Sequence, residues 1–360
     1  MDDLLNVADF EREAERRLDP GAYGYFAGGA GDEVTLRANV DAFERRTLRP
    51  RFLVDVSRVT TETSVLGRPV SMPLLVAPTA FQRLAHADGE VATARAAHAA
   101  GTVMCLSTLS SVTPTELAAA APGGRLWFQL YWSTDRGFTR DLLASVADAG
   151  FEAIVLTIDF AAAGRRERDL RNRFALPEDL SSPNLPHALA RENFHASLGQ
   201  IVDTSLTWRD LEWLRETCSL PLLLKGVLTA EDALLAVEHG ADGIVVSNHG
   251  GRQLDGVAAS LDALPEVVEA AGKRAEILLD GGIRRGSDAL KALALGAKAV
   301  LAGRAAVWGL AVGGEQGVAR VLELLRAEIA LALTHLGCQS PADVTPAHVG
   351  HAPSSSASSS

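Results

Sequence analysis

The alternation of short apolar segments with helical patterns constrains the fold of this chain most. From Pro73 onward, eight apolar segments of strand length are each followed by a segment with helical spacing. The predicted strands are 74–78, 103–107, 126–131, 153–158, 222–225, 243–247, 276–280 and 299–302. Eight strand–helix pairs predict an α/β fold, a closed (β/α)8 TIM barrel. A doubly wound open sheet is the alternative, but it seldom needs eight such units.

The helical segments complete this pattern and extend it at both ends. Barrel helices are predicted at 88–100, 115–121, 135–149, 208–217, 230–239, 260–271 and 287–295, with a C-terminal helix at 314–335. Two further helices, at 4–18 and 33–43, precede the barrel. Between them, the aromatic and glycine-rich segment 22–31 predicts a loop, which either packs as a turn or delivers a phenol to a site elsewhere.

We therefore expect a single domain over residues 1–350. Residues 1–72 would form an N-terminal helical cap, and residues 73–350 the barrel and C-terminal helix. Residues 165–207, between the fourth strand and its helix, are long and polar, as is typical of a lid loop. Residues 351–360, rich in serine, predict a disordered tail.

Composition narrows the class of partner. The net charge of −11 argues against a nucleic-acid partner, and no apolar stretch is long enough to span a membrane. Residues 1–17 are charged throughout, unlike a signal peptide. Cys105, Cys218 and Cys338 are far apart and lack metal-ligand spacing. We expect a cytoplasmic protein that binds small molecules and no metal.

The stretch 243–256 points to chemistry at one end of the barrel. His249 and Arg252 directly follow the predicted sixth strand, at the end where barrel enzymes bind their ligands. A histidine can transfer a proton while an arginine holds a carboxylate through two hydrogen bonds. The alternative is a solvated or helix-capping histidine, which is common for a histidine taken alone.

Polar residues at the ends of the other strands favour a ligand site. Each has a structural alternative: Lys225 could extend out of the barrel, Asp159 could cap a helix, and Gln129 could bond backbone groups. Their shared location at one rim is what these alternatives do not explain. The glycine–arginine turns 280–286 and 303–304 match the place where such barrels bind phosphate.

Four motifs in barrel order resemble a known family. They are SNHGGRQLD at 247–255, DGGIRRG at 280–286, FQLY at 128–131 and GRRERD at 164–169. From Asp9 to about His348, the chain resembles the FMN-dependent L-2-hydroxy acid oxidases and dehydrogenases, which include glycolate oxidase, lactate oxidase and mandelate dehydrogenase. The resemblance implies an FMN cofactor, oxidation of an (S)-2-hydroxy acid by O2 to a 2-oxo acid and hydrogen peroxide, and a homotetramer.

The resemblance also implies roles for individual residues. His249 would be the base, oriented by Asp159, and Tyr131 would bond the substrate hydroxyl. The substrate carboxylate would be held by Arg166, Arg252 and the Tyr25 hydroxyl, and Lys225 would lie at the flavin N1/O2 edge. The flavin ring and ribityl chain would be lined by Pro78, Thr79, Ala80, Ser107, Gln129, Thr157 and Ser247. The ribityl end and phosphate would be held by Asp280, Gly281, Gly282, Ile283, Arg284, Gly303 and Arg304.

Departures from the family pattern bear on the substrate. Leu109 stands where the plant enzymes have tryptophan, and Ala163 where short-chain glycolate oxidases have a larger side chain. Both changes predict room for a substrate larger than glycolate, and segments 108–112 and 126–132 look most like 4-hydroxymandelate oxidases. If Phe160 refills that space, a lactate or glycolate oxidase follows instead. A dehydrogenase with a quinone or cytochrome acceptor and a non-redox phosphate-binding barrel remain alternatives.

Overall fold

Helices and short strands form the cap before the barrel. The computed structural model describes Met1, residues 3–186 and residues 202–351. Its cap consists of α1 (Val7–Arg17), α2 (Pro20–Ala27), α3 (Val34–Glu44), β1 (Arg46–Leu48), β2 (Thr63–Val65) and β3 (Arg68–Val70). Asn6 begins α1 by accepting the Asp9 N–H, and Phe10 and Ala14 are buried. Strands β2 and β3 form an antiparallel hairpin.

The predicted loop at 22–31 is wrong over its first half, which is helical. Helix α2 begins with Asp19, whose side chain accepts the Gly21 N–H, and with proline at its first position. Its glycines have low helix propensity, but the helix buries Tyr25 and Phe26 against the core. Tertiary packing therefore overrides the local composition.

The predicted (β/α)8 barrel is confirmed. Its strands are β4 (Leu74–Val76), β5 (Val103–Ser107), β6 (Arg125–Leu130), β7 (Ile154–Thr157), β8 (Leu222–Val227), β9 (Gly243–Val246), β10 (Glu276–Asp280) and β11 (Ala299–Ala302). All neighbouring pairs are parallel, and β11 closes the barrel on β4 with Leu301 opposite Leu75. The C-terminal ends of all eight strands therefore meet at one rim.

Apolar side chains fill the barrel interior. Alternate residues such as Leu75, Cys105 and Trp127 form one buried cluster inside the strands. Val65 and Val70 of the β2–β3 hairpin join this cluster, so the hairpin covers one end of the barrel. The other face of each strand packs against the surrounding helices in a second, larger cluster.

The outer helices follow the strands in turn. They are α4 (Gly89–Ala99), α5 (Pro114–Ala120), α6 (Arg136–Asp148), α7 (Glu167–Arg171), α8 (Asp210–Thr217), α9 (Ala230–Glu238), α10 (Ser260–Ala271), α11 (Gly286–Ala294) and α12 (Arg304–Leu336). The predicted last helix, 314–335, corresponds to the second part of α12, and the first part was not predicted. Helix α12 begins directly after β11, and non-helical backbone angles at Gly313 and Gly314 divide it.

Two predicted segments lie partly outside the described residues. The predicted lid, 165–207, begins with α7, and its residues 187–201 are not among those described. The predicted tail, 351–360, is wrong at its first residue, because His351 ends β12 (Val349–His351), which pairs with β1. Residues 352–360 lie outside the described part.

Candidate active site

A cavity with an empty volume of about 1070 Å³ opens at the C-terminal rim of the barrel. This volume includes space that is open to solvent at the rim. The predicted residues that line it are Tyr25, Pro78, Thr79, Ala80, Ser107, Gln129, Tyr131, Thr157, Arg166, Lys225, His249, Arg252, Asp280, Gly281, Gly282, Ile283, Arg284, Gly303 and Arg304. Asp159 and Ser247 lie behind this lining and bond to it.

His249 lies between a carboxylate and a phenol. Its Nδ1 is 2.8 Å from Asp159 Oδ1, and its Nε2 is 3.4 Å from the Tyr131 hydroxyl. The backbone of His249 has φ 58°, in the left-handed region that few residues other than glycine adopt. An Asp159 carboxylate on Nδ1 keeps the proton there and leaves Nε2 free to accept another.

The protonation states of this pair suit a base. Desolvation in the cavity lowers the pKa of His249 below its ordinary value, and the charge of Asp159 only partly opposes this effect. Desolvation alone would raise the pKa of Asp159, but His249 and Lys225 together lower it. At neutral pH the imidazole is therefore neutral and the carboxylate ionised.

Two guanidinium groups lie against the ring of Tyr25. The Cζ atoms of Arg166 and Arg252 are 5.2 Å and 5.1 Å from the ring centroid. Arg252 donates to the backbone oxygens of Tyr25 at 2.6 Å and Gly28 at 2.9 Å, which fixes its side chain to the end of α2. Desolvation and the charge of Arg166 lower the pKa of Arg252 to about 10, so the Arg252 guanidinium stays cationic at neutral pH and attracts an anion.

A third cation lies deeper in the barrel. Lys225 Nζ is 3.4 Å from Asp280 Oδ2 and donates to Ser247 Oγ at 3.0 Å. Ser247 Oγ also accepts the His249 N–H at 3.0 Å, so one hydroxyl joins the lysine to the histidine turn. Burial alone would lower the pKa of Lys225, but Asp280 and Asp159 raise it. The ammonium is therefore charged.

The turns after β10 and β11 are shaped for close backbone approach. Gly281 and Gly282 have φ 92° and 84°, which favour glycine, and they precede the N-terminus of α11. Arg304, at the start of α12, donates to the backbone oxygens of Phe26, Gly28 and Gly250. These bonds use three of its five N–H groups and tie the end of α2 to the histidine turn.

Comparison with known proteins shows which family has this barrel and this site. Residues 14–351 match the FMN-dependent dehydrogenases. The chain belongs to this family. An L-lactate oxidase of Nostoc sp. is 51% identical over an alignment of 353 positions that covers 94% of this chain and 96% of that protein. Glycolate oxidase 3 of Oryza sativa subsp. indica is 48% identical, over 97% of each chain.

Solved structures of the family agree in fold. A mandelate oxidase crystal structure with (S)-2-phenylpropionate has a TM-score of 0.88 and 46% identity, covering 97% of this chain and 98% of that one. A glycine-to-alanine mutant of the active chimera of (S)-mandelate dehydrogenase has a TM-score of 0.91 and 41% identity, covering 97% and 100%. The predicted family and its FMN cofactor are confirmed, and the non-redox phosphate-binding barrel is excluded.

The cavity of this FMN-dependent dehydrogenase fits the cofactor chemically. Within the described part of the chain, buried Gln129 Nε2 and Asp280 Oδ1 have no hydrogen-bond partner. Gln129 Nε2 is a donor, as a flavin carbonyl requires. Asp280 Oδ1 is an acceptor, as a ribityl hydroxyl requires. The cationic Lys225 and Arg284 suit an anionic ring edge and a phosphate.

The pocket wall beside His249 differs from the sequence expectation in one residue. Leu109 and Phe160 line the cavity, whereas Ala163 packs against the hydrophobic core and is not among the lining residues. The Phe160 ring centroid is 4.8 Å from that of Tyr131 and 6.2 Å from that of His249. The aromatic ring, and not the small alanine, therefore sets the space next to His249.

The structure adds residues that the sequence analysis missed. Gln253 donates to the Asp159 and Ala162 carbonyls and so holds the loop after β7. Glu90 on α4 accepts the backbone N–H groups of Gln82 and Ser111. Asn39 was detectable only as a polar residue on the buried face of α3. The other missed lining residues are Phe26, Ala77, Gly250, Leu301 and Val307.

Among the described residues, no helix is both long and apolar enough to cross a membrane.

Proposed function

We propose that this chain is an FMN-dependent (S)-2-hydroxy acid oxidase that produces the 2-oxo acid and reduces O2 to hydrogen peroxide. FMN-dependent oxidation of a 2-hydroxy acid is the activity of its family. The observation that carries the proposal is the neutral His249, bonded to Asp159 at 2.8 Å, beside the Arg166–Arg252 pair. A base next to a carboxylate-binding pair is what oxidation of a 2-hydroxy acid requires.

Each residue has a defined part in the reaction. Arg166 and Arg252, with the Tyr25 hydroxyl, hold the substrate carboxylate, and Tyr131 bonds the hydroxyl that is oxidised. His249 Nε2 accepts the proton, and the ionised Asp159 stabilises the imidazolium that results. FMN, when bound, would supply the redox chemistry, as the acceptor of a hydride equivalent that comprises the two electrons and the second proton.

The remaining rim residues would hold the cofactor. Lys225 would stabilise negative charge on the ring, with Gln129 and Ser247 nearby. The ring and ribityl chain would also contact Pro78, Thr79, Ala80, Ser107 and Thr157. The ribityl end and phosphate would be held by Asp280, Gly281, Gly282, Ile283, Arg284, Gly303 and Arg304. Backbone N–H groups at helix N-termini are suited to the phosphate.

Oxygen uptake tests the proposed acceptor. With mandelate or lactate and no added dye, the holoenzyme should consume O2 and release one hydrogen peroxide per 2-oxo acid. The dehydrogenase alternative predicts the opposite result, which is rapid reduction of a quinone or cytochrome with negligible O2 uptake. An oxygen electrode with coupled peroxide detection separates the two.

For the substrate, we propose an aryl 2-hydroxy acid of the mandelate or 4-hydroxymandelate type. In support, Leu109 and Phe160 provide an apolar wall, and the similar mandelate oxidase structure is 46% identical. Aromatic rings pair favourably with a side chain such as Phe160. A lactate or glycolate oxidase is the second candidate, favoured by the short distance from Phe160 to His249 and by the Nostoc sp. lactate oxidase.

Phe160→Ala distinguishes the two substrate classes. If the aryl ring packs on Phe160, the variant should lose kcat/KM for mandelate by roughly twofold to tenfold while lactate changes little, because an aromatic pair contributes about 0.5–1.5 kcal/mol. If Phe160 occupies the space instead, the variant should gain mandelate activity. Ala161→Leu, at an exposed position of the same loop, is the matched control and should leave the ratio unchanged.

We also propose a cytoplasmic homotetramer, as the family resemblance suggests. Phe52 and Leu53, at 79% and 107% exposure, supply contiguous apolar surface that association could cover. Sedimentation equilibrium tests the assembly, and a monomer at micromolar concentration would contradict it.

A further inference from the structure

Two buried asparagines join the cap to the turn that carries His249. Asn39 of α3 and Asn248 exchange two side-chain hydrogen bonds, each 2.8 Å long. Both residues are almost fully buried, at 2% and 4% exposure. Reciprocal amide bonds in a buried place are directional, so they fix the relative position of the two backbones.

Each member of the pair also holds backbone of its surroundings. Asn248 Oδ1 accepts the Gly251 N–H at 3.1 Å, and Asn248 Nδ2 donates to the Ala258 carbonyl at 3.0 Å. Asn39 Oδ1 accepts the Ser260 N–H at 3.2 Å. The amides thus close the turn on both sides of His249 and link it to the start of α10.

The same cap residue also bounds the turn after β10. A Cβ added to Gly282 would come within 2.2 Å of the Asn39 backbone oxygen, and one added to Gly281 within 3.3 Å of Asn39 Nδ2. Asn39 therefore lies where the turns after β9 and β10 meet. Its contact with Gly282 uses only backbone and is kept when the side chain is shortened.

We propose that Asn39 is a positioning residue that acts through Asn248 to hold His249 in its reactive place. The inference rests on the proposed role of His249 as base. The left-handed φ of 58° at His249 is unfavourable for a histidine, so the surrounding bonds must maintain it. Without Asn39, the Asn248 amide keeps only its bonds to the Gly251 N–H and the Ala258 carbonyl, so nothing ties the turn to the cap and its backbone can shift.

Loss of the Asn39 side chain should slow the reduction of the flavin by substrate more than it weakens binding of the substrate carboxylate. Arg252 is held independently, by its bonds to the carbonyls of Tyr25 and Gly28. A displaced His249 therefore slows proton transfer while the carboxylate site remains. Misplacement of a reacting group by about 1 Å can reduce the rate on the order of a hundredfold.

Asn39→Ala in the FMN-loaded enzyme tests the proposal. Anaerobic reduction by the better of lactate and mandelate should slow roughly tenfold to a hundredfold. Binding of the matching 2-oxo acid, pyruvate or benzoylformate, followed by flavin absorbance, should weaken by less than about threefold because Arg252 stays in place. The Asn39→Ala/Asn248→Ala double variant should be no slower than Asn248→Ala alone, as expected of residues that act as one unit.

Thr35→Val is the matched control. Thr35 is buried on the same helix and bonds the Gly256 N–H at 2.8 Å, farther along the same loop. It should lower the melting temperature with less than a threefold effect on the reduction rate, about 0.7 kcal/mol. Equal slowing by Thr35→Val and Asn39→Ala would overturn the proposal, as would near-normal reduction by Asn39→Ala or additive losses in the double variant.

His249→Ala distinguishes the positioning role of Asn39 from the proposed role of His249 as the base. If His249→Ala still reduces its flavin normally, the proposed base is wrong. If His249→Ala loses the reaction but Asn39→Ala does not, only the positioning role is wrong.

Discussion

The imidazole of His249 can accept a proton only while it is neutral. Asp159 has two separable effects on it, because its carboxylate orients Nδ1 and also opposes the desolvation that lowers the pKa of His249. The orientation of the imidazole should affect the maximum rate, and its proton affinity should set the midpoint of the pH profile.

Removing the imidazole should abolish the reaction and leave the cofactor bound. His249→Ala should slow flavin reduction on the order of a hundredfold to ten-thousandfold, as expected for loss of a general base. FMN should stay bound, because Lys225 and the turns after β10 and β11 do not depend on the imidazole. Stopped-flow reduction and the flavin-to-protein ratio measure the two effects. A variant within severalfold of wild type would show that another residue is the base.

The pH profile should report the lowered pKa of His249. kcat/KM should fall on the acid side, as His249 becomes protonated, with a midpoint below the ordinary value of 6.5. In Asp159→Asn the opposing carboxylate is absent, so the pKa of His249 falls further. The acid limb should then move to lower pH while the maximum rate decreases. An acid limb that shifts upward in Asp159→Asn would contradict this account of the pair.

Sequence alone predicted which polar residues meet at the rim better than the residues that hold them there. His249, Arg252 and Lys225 stand at strand ends, where barrel topology gives a reason to bring them together. Asn39 is over two hundred positions from Asn248 in sequence, and its amide partner follows only from how α3 packs on the barrel. No local pattern encodes that contact.

At the scale of elements, periodicity predicted the strands because their burial repeats along the chain. It was wrong at α2, where two glycines favour a loop locally and the burial of Tyr25 and Phe26 decides for a helix. It also missed the first part of α12, which lies before the kink at Gly313 and Gly314. At α2, tertiary contact outweighs local propensity.

Two glycines in the turns beside the cavity should respond differently to alanine. Gly256 has φ 87° and open space around its Cα, so Gly256→Ala should lower the free energy of unfolding by roughly 1–2 kcal/mol. Gly282 has φ 84°, but its added Cβ would meet the Asn39 backbone oxygen at 2.2 Å. Gly282→Ala should therefore lower that free energy by roughly 2–5 kcal/mol and weaken FMN binding. Urea unfolding and FMN titration measure both, and equal effects would contradict the packing described.

At the scale of the whole molecule, the cofactor should contribute to stability. The cavity is lined from α2 and from the ends of strands around the barrel, so FMN would bind the folded chain and not the unfolded one. Apoprotein should melt at a lower temperature, and free FMN at a hundredfold over its Kd should restore about 2.7 kcal/mol. Differential scanning calorimetry over a series of FMN concentrations checks this. A melting temperature independent of FMN would count against it.

The pairing of β1 with β12 has a consequence for biosynthesis. Arg46 and His351 are partners across 305 positions of chain. At a translation rate of 5–20 residues per second, His351 leaves the ribosome roughly 15–60 s after Arg46. Throughout that interval β1 is an open edge, available to any other extended chain nearby. We therefore expect nascent chains to be more prone to aggregation than the released protein, and chaperones that bind during synthesis to protect the cap.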